Sequence, residues 1–130
     1  MIWGNLAVQD IERTRSFYKA LGFQSNGDNE AEEMTSFKFG DNQFIINFFL
    51  EDRIASSMNG PVSSTENGNE TLFSLAADSN EEVDQLKRLV ESTDGKIIMG
   101  PKLDENGFYV CVFSDPDGHK FNVVRMTEGM

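Results

Sequence analysis

Asn5-Leu6-Ala7-Val8-Gln9-Asp10-Ile11-Glu12-Arg13-Thr14-Arg15-Ser16-Phe17-Tyr18-Lys19-Ala20-Leu21-Gly22-Phe23 is the stretch that decides how the chain is read. Residues 2–8 read as a short, half-apolar strand running into Asp10. Asp10 is a good N-cap, because its carboxylate can accept the orphan amide hydrogens of a first helical turn. Ile11, Thr14, Phe17, Tyr18 and Leu21 then recur at the spacing of one buried helical face. Gly22 supplies the left-handed residue at which helices commonly stop. Phe23 to Ser25 starts the next strand, and Asn26-Gly27-Asp28-Asn29 is a turn or loop. Two more strands, about Met34–Phe39 and Gln43–Leu50, are joined by the compact Gly40-Asp41-Asn42 turn. The order is strand, helix, three strands.

The second half repeats that order. Thr71–Ala77 reads as a strand, Ser79 and Glu82 stand at capping-box spacing, and Val83, Leu86 and Val90 form the stripe of a helix ending near Gly95. Lys96–Met99, Phe108–Ser114 and Lys120–Met126 read as strands, with turns at Pro101 to Gly107 and Asp115 to Gly118. Asn47 follows Phe39-Gly40-Asp41 at nearly the same remove as Asn122 follows Phe113-Ser114-Asp115. The expectation is an α+β domain over residues 1–130, built from two βαβββ modules at about 1–52 and 71–126. Neither half has enough core to fold alone, so duplicated units of this size bury their sheets together. Between them, residues 51–70 are rich in Ser, Asn, Gly, Thr and Glu, include Pro61, and show no periodicity. They read as a long irregular linker, of the kind that is often functional or mobile.

Composition bounds the function. The 130 residues give room for one ordinary domain, and 38% hydrophobic residues with 11 glycines exclude wholesale disorder. Twenty-two acids against 11 bases leave a net charge of −11 with no Lys/Arg cluster. A phosphate backbone or an anionic membrane surface would be repelled, so neither nucleic acid nor membrane is an expected partner. A cationic or neutral small molecule suits the field better. The lone Cys111 makes no internal disulfide, which points to a reducing compartment. Met1-Ile2-Trp3-Gly4-Asn5 lacks the basic start and apolar run of a signal peptide. The apolar stretch Phe44–Leu50, interrupted by Asn47, is far short of the roughly 20 residues of a membrane helix. A cytoplasmic protein is expected.

The opening stretch, together with Phe113-Ser114-Asp115-Pro116-Asp117-Gly118-His119, resembles the glyoxalase I, bleomycin-resistance and extradiol-dioxygenase superfamily, the vicinal oxygen chelate group. Strand–Asp–helix–"FY…LGF" and the late "DPDG" turn carry the resemblance, which covers nearly the whole chain. It implies two βαβββ modules forming a curved mixed sheet around a cleft, often completed by a homodimer. It also implies, in metal-dependent members, a divalent ion held by His, Glu or Gln. On this chain the ligand positions fall on Trp3, Thr71, Asn122 and at or near Asn47. An indole cannot ligate a metal, Thr and Asn offer only weak neutral oxygens, and the single His cannot supply a two-His site. No metal, cofactor or catalytic residue is therefore expected. The implied cleft is floored by Trp3, Asn5, Asn47, Thr71 and Asn122, with Phe37, Phe49 and Tyr109 as further lining. The analogy is to metal-free bleomycin-resistance proteins: a small-molecule binding protein sequestering a cationic or aromatic compound. The rival is a metal-dependent lyase, isomerase or dioxygenase in which Asn, Thr and nearby Asp or Glu hold the ion. A third reading, a regulatory or partner-binding module, rests only on the 51–70 loop.

Each residue also has a plainer reading. Trp3 reads as a core aromatic as readily as a cleft residue. Asn47 and Asn122 interrupt apolar strands and need hydrogen-bond partners if buried. Thr71 suits the start of a strand. His119 reads as a strand-start residue, and Asp115 and Asp117 belong to a turn whose angles come from Pro116 and Gly118. The oxygen ligands and distant Glu of an EF-hand are not in register there. Cys111 alternates with Tyr109 and Phe113 and reads as a small buried hydrophobe. The phenylalanines read first as core. Glu81-Glu82 complements a helix dipole.

Overall fold

The Asp10 carboxylate accepts from the Arg13 amide at 3.0 Å and so starts α1, Ile11–Ala20. The structure, a computed structural model, describes residues 1–126. At the other end of α1, Gly22 at φ +90° donates to Lys19 O and Phe23 donates to Tyr18 O, the paired closure of a Schellman motif. Only a residue tolerant of positive φ closes the helix this way. Ile11, Thr14, Phe17 and Tyr18 of the predicted face are buried.

The chain divides into two compact units, Met1–Asn67 and a second beginning at Gly68. The first holds β1 (Gly4–Val8), β2 (Gln24–Ser25), β3 (Met34–Phe39) and β4 (Phe44–Leu50) in the order β1-β4-β3-β2. β1 runs parallel to β4 and the other pairs are antiparallel. α1 packs on β3 and β4. There the fully buried Tyr18 stacks on Phe48 at 4.7 Å and meets Phe37 and Phe39 at 5.6 and 5.5 Å. Aromatic contacts of this kind add to the burial energy of the rings.

Residues 51–70 are not the irregular linker that their composition suggested. Glu51–Met58 form a helix, α2, and Thr65–Asn67 form one turn of 3₁₀ helix. Glu51 and Asp52 sit in the first turn of α2, where the dipole favours acids, and Asn59 in the left-handed conformation ends it. Ile54 is its one buried residue. A helix of two turns with one apolar anchor leaves no detectable period.

In the second unit Ser79 caps α3 (Asn80–Glu91), accepting from the Glu82 amide, while Glu82 reaches back to the Asp78 amide. β5 (Leu72–Ala77), β6 (Lys96–Leu103), β7 (Tyr109–Ser114) and β8 (Lys120–Arg125) form a sheet in the order β5-β8-β7-β6, with β5 parallel to β8. Val83, Val90, Cys111, Phe113 and Phe121 make its core, with Phe113 and Phe121 stacked at 5.2 Å. β6 runs on through Pro101, where a turn was expected. It can do so because it is an edge strand with register shifts on both sides of Met99, and a proline at such a position breaks no interior ladder. Gly100, at φ +82°, makes the shift possible: a Cβ there would lie 2.5 Å from Val110 O.

Two four-stranded mixed sheets and three helices thus give the α+β class and the two βαβββ modules expected. Among the described residues, no helix is long and apolar enough to cross a membrane.

Candidate functional site

Strand alternation sorts the first sheet into two faces. Thr35, Phe37, Phe39, Ile46 and Phe48 are buried on the α1 side. The intervening residues look the other way, and the register aligns three of them in one row: Asn5 lies opposite Asn47, and Asn47 opposite Ser36. Their side chains are joined. Ser36 Oγ donates to Asn47 Oδ1 at 2.6 Å, and Asn47 Nδ2 donates to Asn5 Oδ1 over a longer 3.4 Å. Asn26, just past β2, extends the row by donating from Nδ2 to Ser36 Oγ at 3.1 Å. All four polar side chains are thereby linked in one direction, from Asn26 toward Asn5.

The loop that carries Asn26 is tied down from below. Asn29 Oδ1 accepts from Thr35 Oγ1 at 2.8 Å and from the Ser36 amide at 2.9 Å. Buried Arg15 donates to Ala31 O and to Met34 O, at 2.5 and 3.0 Å, and pairs with Glu12. A planar guanidinium that reaches two backbone carbonyls holds a loop in place more firmly than a lysine point charge would.

The second unit carries a shorter version. Ser74 lies opposite Asn122, and its Oγ donates to Asn122 Oδ1 at 2.5 Å. Val112 occupies the other side of Asn122. Thr71, expected here, lies before β5 and is exposed. Ser74 lies five residues before its helix cap Ser79, as Asn5 lies five before Asp10, a correspondence that the choice of Thr71 passed over.

The other expected residues separate. Trp3 precedes β1 and is 49% exposed, so it is not a core aromatic. Phe49 shares the face of Asn47, two residues along β4, with the Arg53 guanidinium 5.4 Å above its ring. Phe37 is fully buried beside Tyr18 on the α1 face and does not join the row. Tyr109 also turns away: its hydroxyl donates to Asp84 Oδ1 on α3 at 2.5 Å. That hydrogen bond, with some desolvation and the Asp84 charge, raises the Tyr109 pKa.

The residues at the ligand positions do not fit a divalent ion. Trp3 has no metal-ligating atom, and the neutral Oδ1 atoms of Asn47 and Asn122 each already accept a hydrogen bond from a serine hydroxyl, which leaves only weak, uncharged oxygens for a divalent ion. Among the described residues, no three His, Cys, Asp or Glu side chains gather to hold a metal.

The remaining reactive groups serve the second unit's frame. Asp115 is buried and closes the β7–β8 turn, accepting from the Asp117 and His119 amides and pairing with His119 Nδ1 at 2.8 Å. Burial works against charge on His119, but the hydrogen bond to Asp115 and the charges of Asp115 and Asp117 outweigh it, so its pKa is raised. Burial raises the Cys111 thiol, against a lowering by Lys87, which makes it a poor nucleophile.

Comparison with known proteins gives the family of the fold that carries this row. The family model described as "Glyoxalase/Bleomycin resistance protein/Dioxygenase superfamily" matches residues 3–123. No curated protein matches the chain significantly. Among solved structures, a hypothetical protein from S. aureus is similar at 34% identity and TM-score 0.85, over 97% of this chain and 93% of that one. A lactoylglutathione lyase from Agrobacterium tumefaciens is similar at 19% identity and TM-score 0.67, over 96% and 92%. A genomically encoded fosfomycin resistance protein, FosX, from Listeria monocytogenes is similar at 14% identity and TM-score 0.70, over 100% and 93%. The last two likenesses show the shared fold alone.

Proposed function

This chain belongs to the glyoxalase/bleomycin resistance protein/dioxygenase superfamily, and from that premise we propose that it binds a small, partly aromatic molecule without a metal ion. One observation carries the reading. At Asn47, one of the positions where metal-dependent members are expected to carry a ligand, this chain has the centre of a neutral hydrogen-bonded row, Asn5–Asn47–Ser36, whose two amide oxygens each already accept a hydrogen bond. Such a surface positions a ligand by hydrogen bonding and lets a neighbouring ring such as Phe49 supply apolar contact. It presents no group poised as acid, base or nucleophile. Sequestration, as in the bleomycin-resistance members, needs nothing more. The same reading carries a cytoplasmic homodimer, which sedimentation at micromolar concentration tests.

The rival is metal-dependent lyase, isomerase or dioxygenase chemistry; a protein of similar fold is named as a lyase. Elemental analysis of protein purified without chelators separates the two. Less than a tenth of an equivalent of Zn, Ni, Fe or Mn, with unchanged thermal stability in chelator, is the expected result. Near-stoichiometric metal with chelator-sensitive activity would establish the rival.

A further inference from the structure

The net charge of −11 suggests a cationic guest, but the charge is not distributed that way. No Asp or Glu occurs in the strands of the first sheet, GNLAV, QS, MTSFKF and FIINFFL, whose one charged residue is Lys38. Lys38 stands opposite Ile45 and Gln24, two residues along β3 from Ser36 and on the same face as the row. The second sheet also lacks acids in its strands and carries Lys96, Lys102, Lys120 and Arg125. The acids of the described chain lie in helices and loops. Their field is screened over about 8 Å in physiological salt, whereas contact selectivity is set by the groups that touch the ligand.

Those groups have a polarity. In the chain Asn26→Ser36→Asn47→Asn5 every link donates toward Asn5. Asn47 Oδ1 and Asn5 Oδ1 each already accept one hydrogen bond, so at this end three N–H hydrogens, the second of Asn47 Nδ2 and both of Asn5 Nδ2, outnumber the single lone pair left on each oxygen. Asn5 is exposed and Asn47 half-buried, so these donors can be reached. The second unit repeats the device independently: Ser74 engages Asn122 Oδ1 and leaves Asn122 Nδ2 as the donor. In both units a serine fixes the central-strand asparagine in the orientation that presents N–H.

We infer that the row Asn5–Asn47–Ser36 recognises a ligand through acceptor oxygens, a carboxylate or carboxamide on a flat apolar body, and discriminates against ammonium groups. Lys38 reinforces the preference for an anion, and Phe49 supplies apolar surface beside the row. The inference rests on the binding role proposed above and specifies its chemistry.

Matched probes test it: benzoate, benzamide and benzylammonium, titrated against the intact chain by thermal shift and calorimetry. Benzoate and benzamide are expected to bind, with benzylammonium at least about tenfold weaker, the scale of a hydrogen bond to a charged group. N47D keeps an oxygen for Ser36 and replaces the donor by a charge. It is expected to weaken benzoate by about tenfold or more and to improve benzylammonium. N5D, at an exposed position, should act in the same direction and serves if N47D does not fold. Equal or tighter binding of benzylammonium by the unmodified protein, or benzoate affinity unchanged in both variants, overturns the inference and leaves the binding role standing. Absence of binding by all three probes overturns both.

Discussion

Ser36 Oγ and Asn47 Oδ1 lie 2.6 Å apart across β3 and β4, and this contact orients the amide at the centre of the first sheet. Ser36 is itself buried, so it cannot be replaced by water without cost. S36A removes the donor to Asn47 and the acceptor for Asn26. The expected loss is about 1–2 kcal/mol, a few degrees of melting temperature. Benzoate binding is expected to weaken as well, because Asn47 is then free to rotate its amide. Denaturant titration and calorimetry check the two effects separately, and unchanged affinity in S36A would mean that the serine plays no part in orienting the amide.

Gly100 and Gly22 both have positive φ, +82° and +90°, yet only Gly100 is crowded, by Val110 O at 2.5 Å. G22A is expected to cost about 1 kcal/mol, the left-handed penalty alone. G100A adds a clash with the backbone that no side chain can relieve, and is expected to cost about 3 kcal/mol or more. Equal melting temperatures for the two variants would show that the β6 bulge relaxes freely.

His119 is the only histidine, which makes its linkage readable. Its pKa is raised in the folded state, against burial, by the Asp115 hydrogen bond and the nearby carboxylates. The stabilisation is therefore complete below the ordinary value of about 6.5 and is lost as pH rises through the higher folded value. Unfolding free energy measured on either side of that interval should fall with increasing pH, and H119Q should flatten this part of the profile. An NMR titration of the His119 ring with a midpoint at or below 6.5 would contradict the raised value.

Tyr109 faces α3, away from Asn122, so Y109F is expected to leave benzoate affinity within twofold of the unmodified protein. D84N should bring the tyrosine titration back toward 10, since the Asp84 hydrogen bond is the first cause of the raised value. Ultraviolet titration follows the second effect. A large loss of affinity in Y109F would place this ring against the ligand instead.

Local signals carried most of the architecture. Asp10, the helical face of Ile11, Thr14, Phe17 and Tyr18, and Gly22 announce α1 within a dozen residues, because caps and helical periodicity are short-range. Pro116 and Gly118 mark the β7–β8 turn in the same way. α2 escaped notice because its single anchor, Ile54, makes no period, and β6 was cut short because Pro101 reads as a stop unless its strand is known to lie at an edge.

The amino-acid order alone determined the two βαβββ modules, the family they belong to, and the absence of strong metal donors at Trp3, Asn47, Thr71 and Asn122, since each depends on residue identity and local spacing. Only the tertiary structure decided which polar residues meet. Pairing register put Ser36 rather than Phe37 opposite Asn47 and Ser74 rather than Thr71 opposite Asn122. A one-residue slip exchanges the faces of a strand, and register is set by partners distant in sequence. The same long-range pairing set the direction of the hydrogen bonds, and with it the N–H groups the sheet presents.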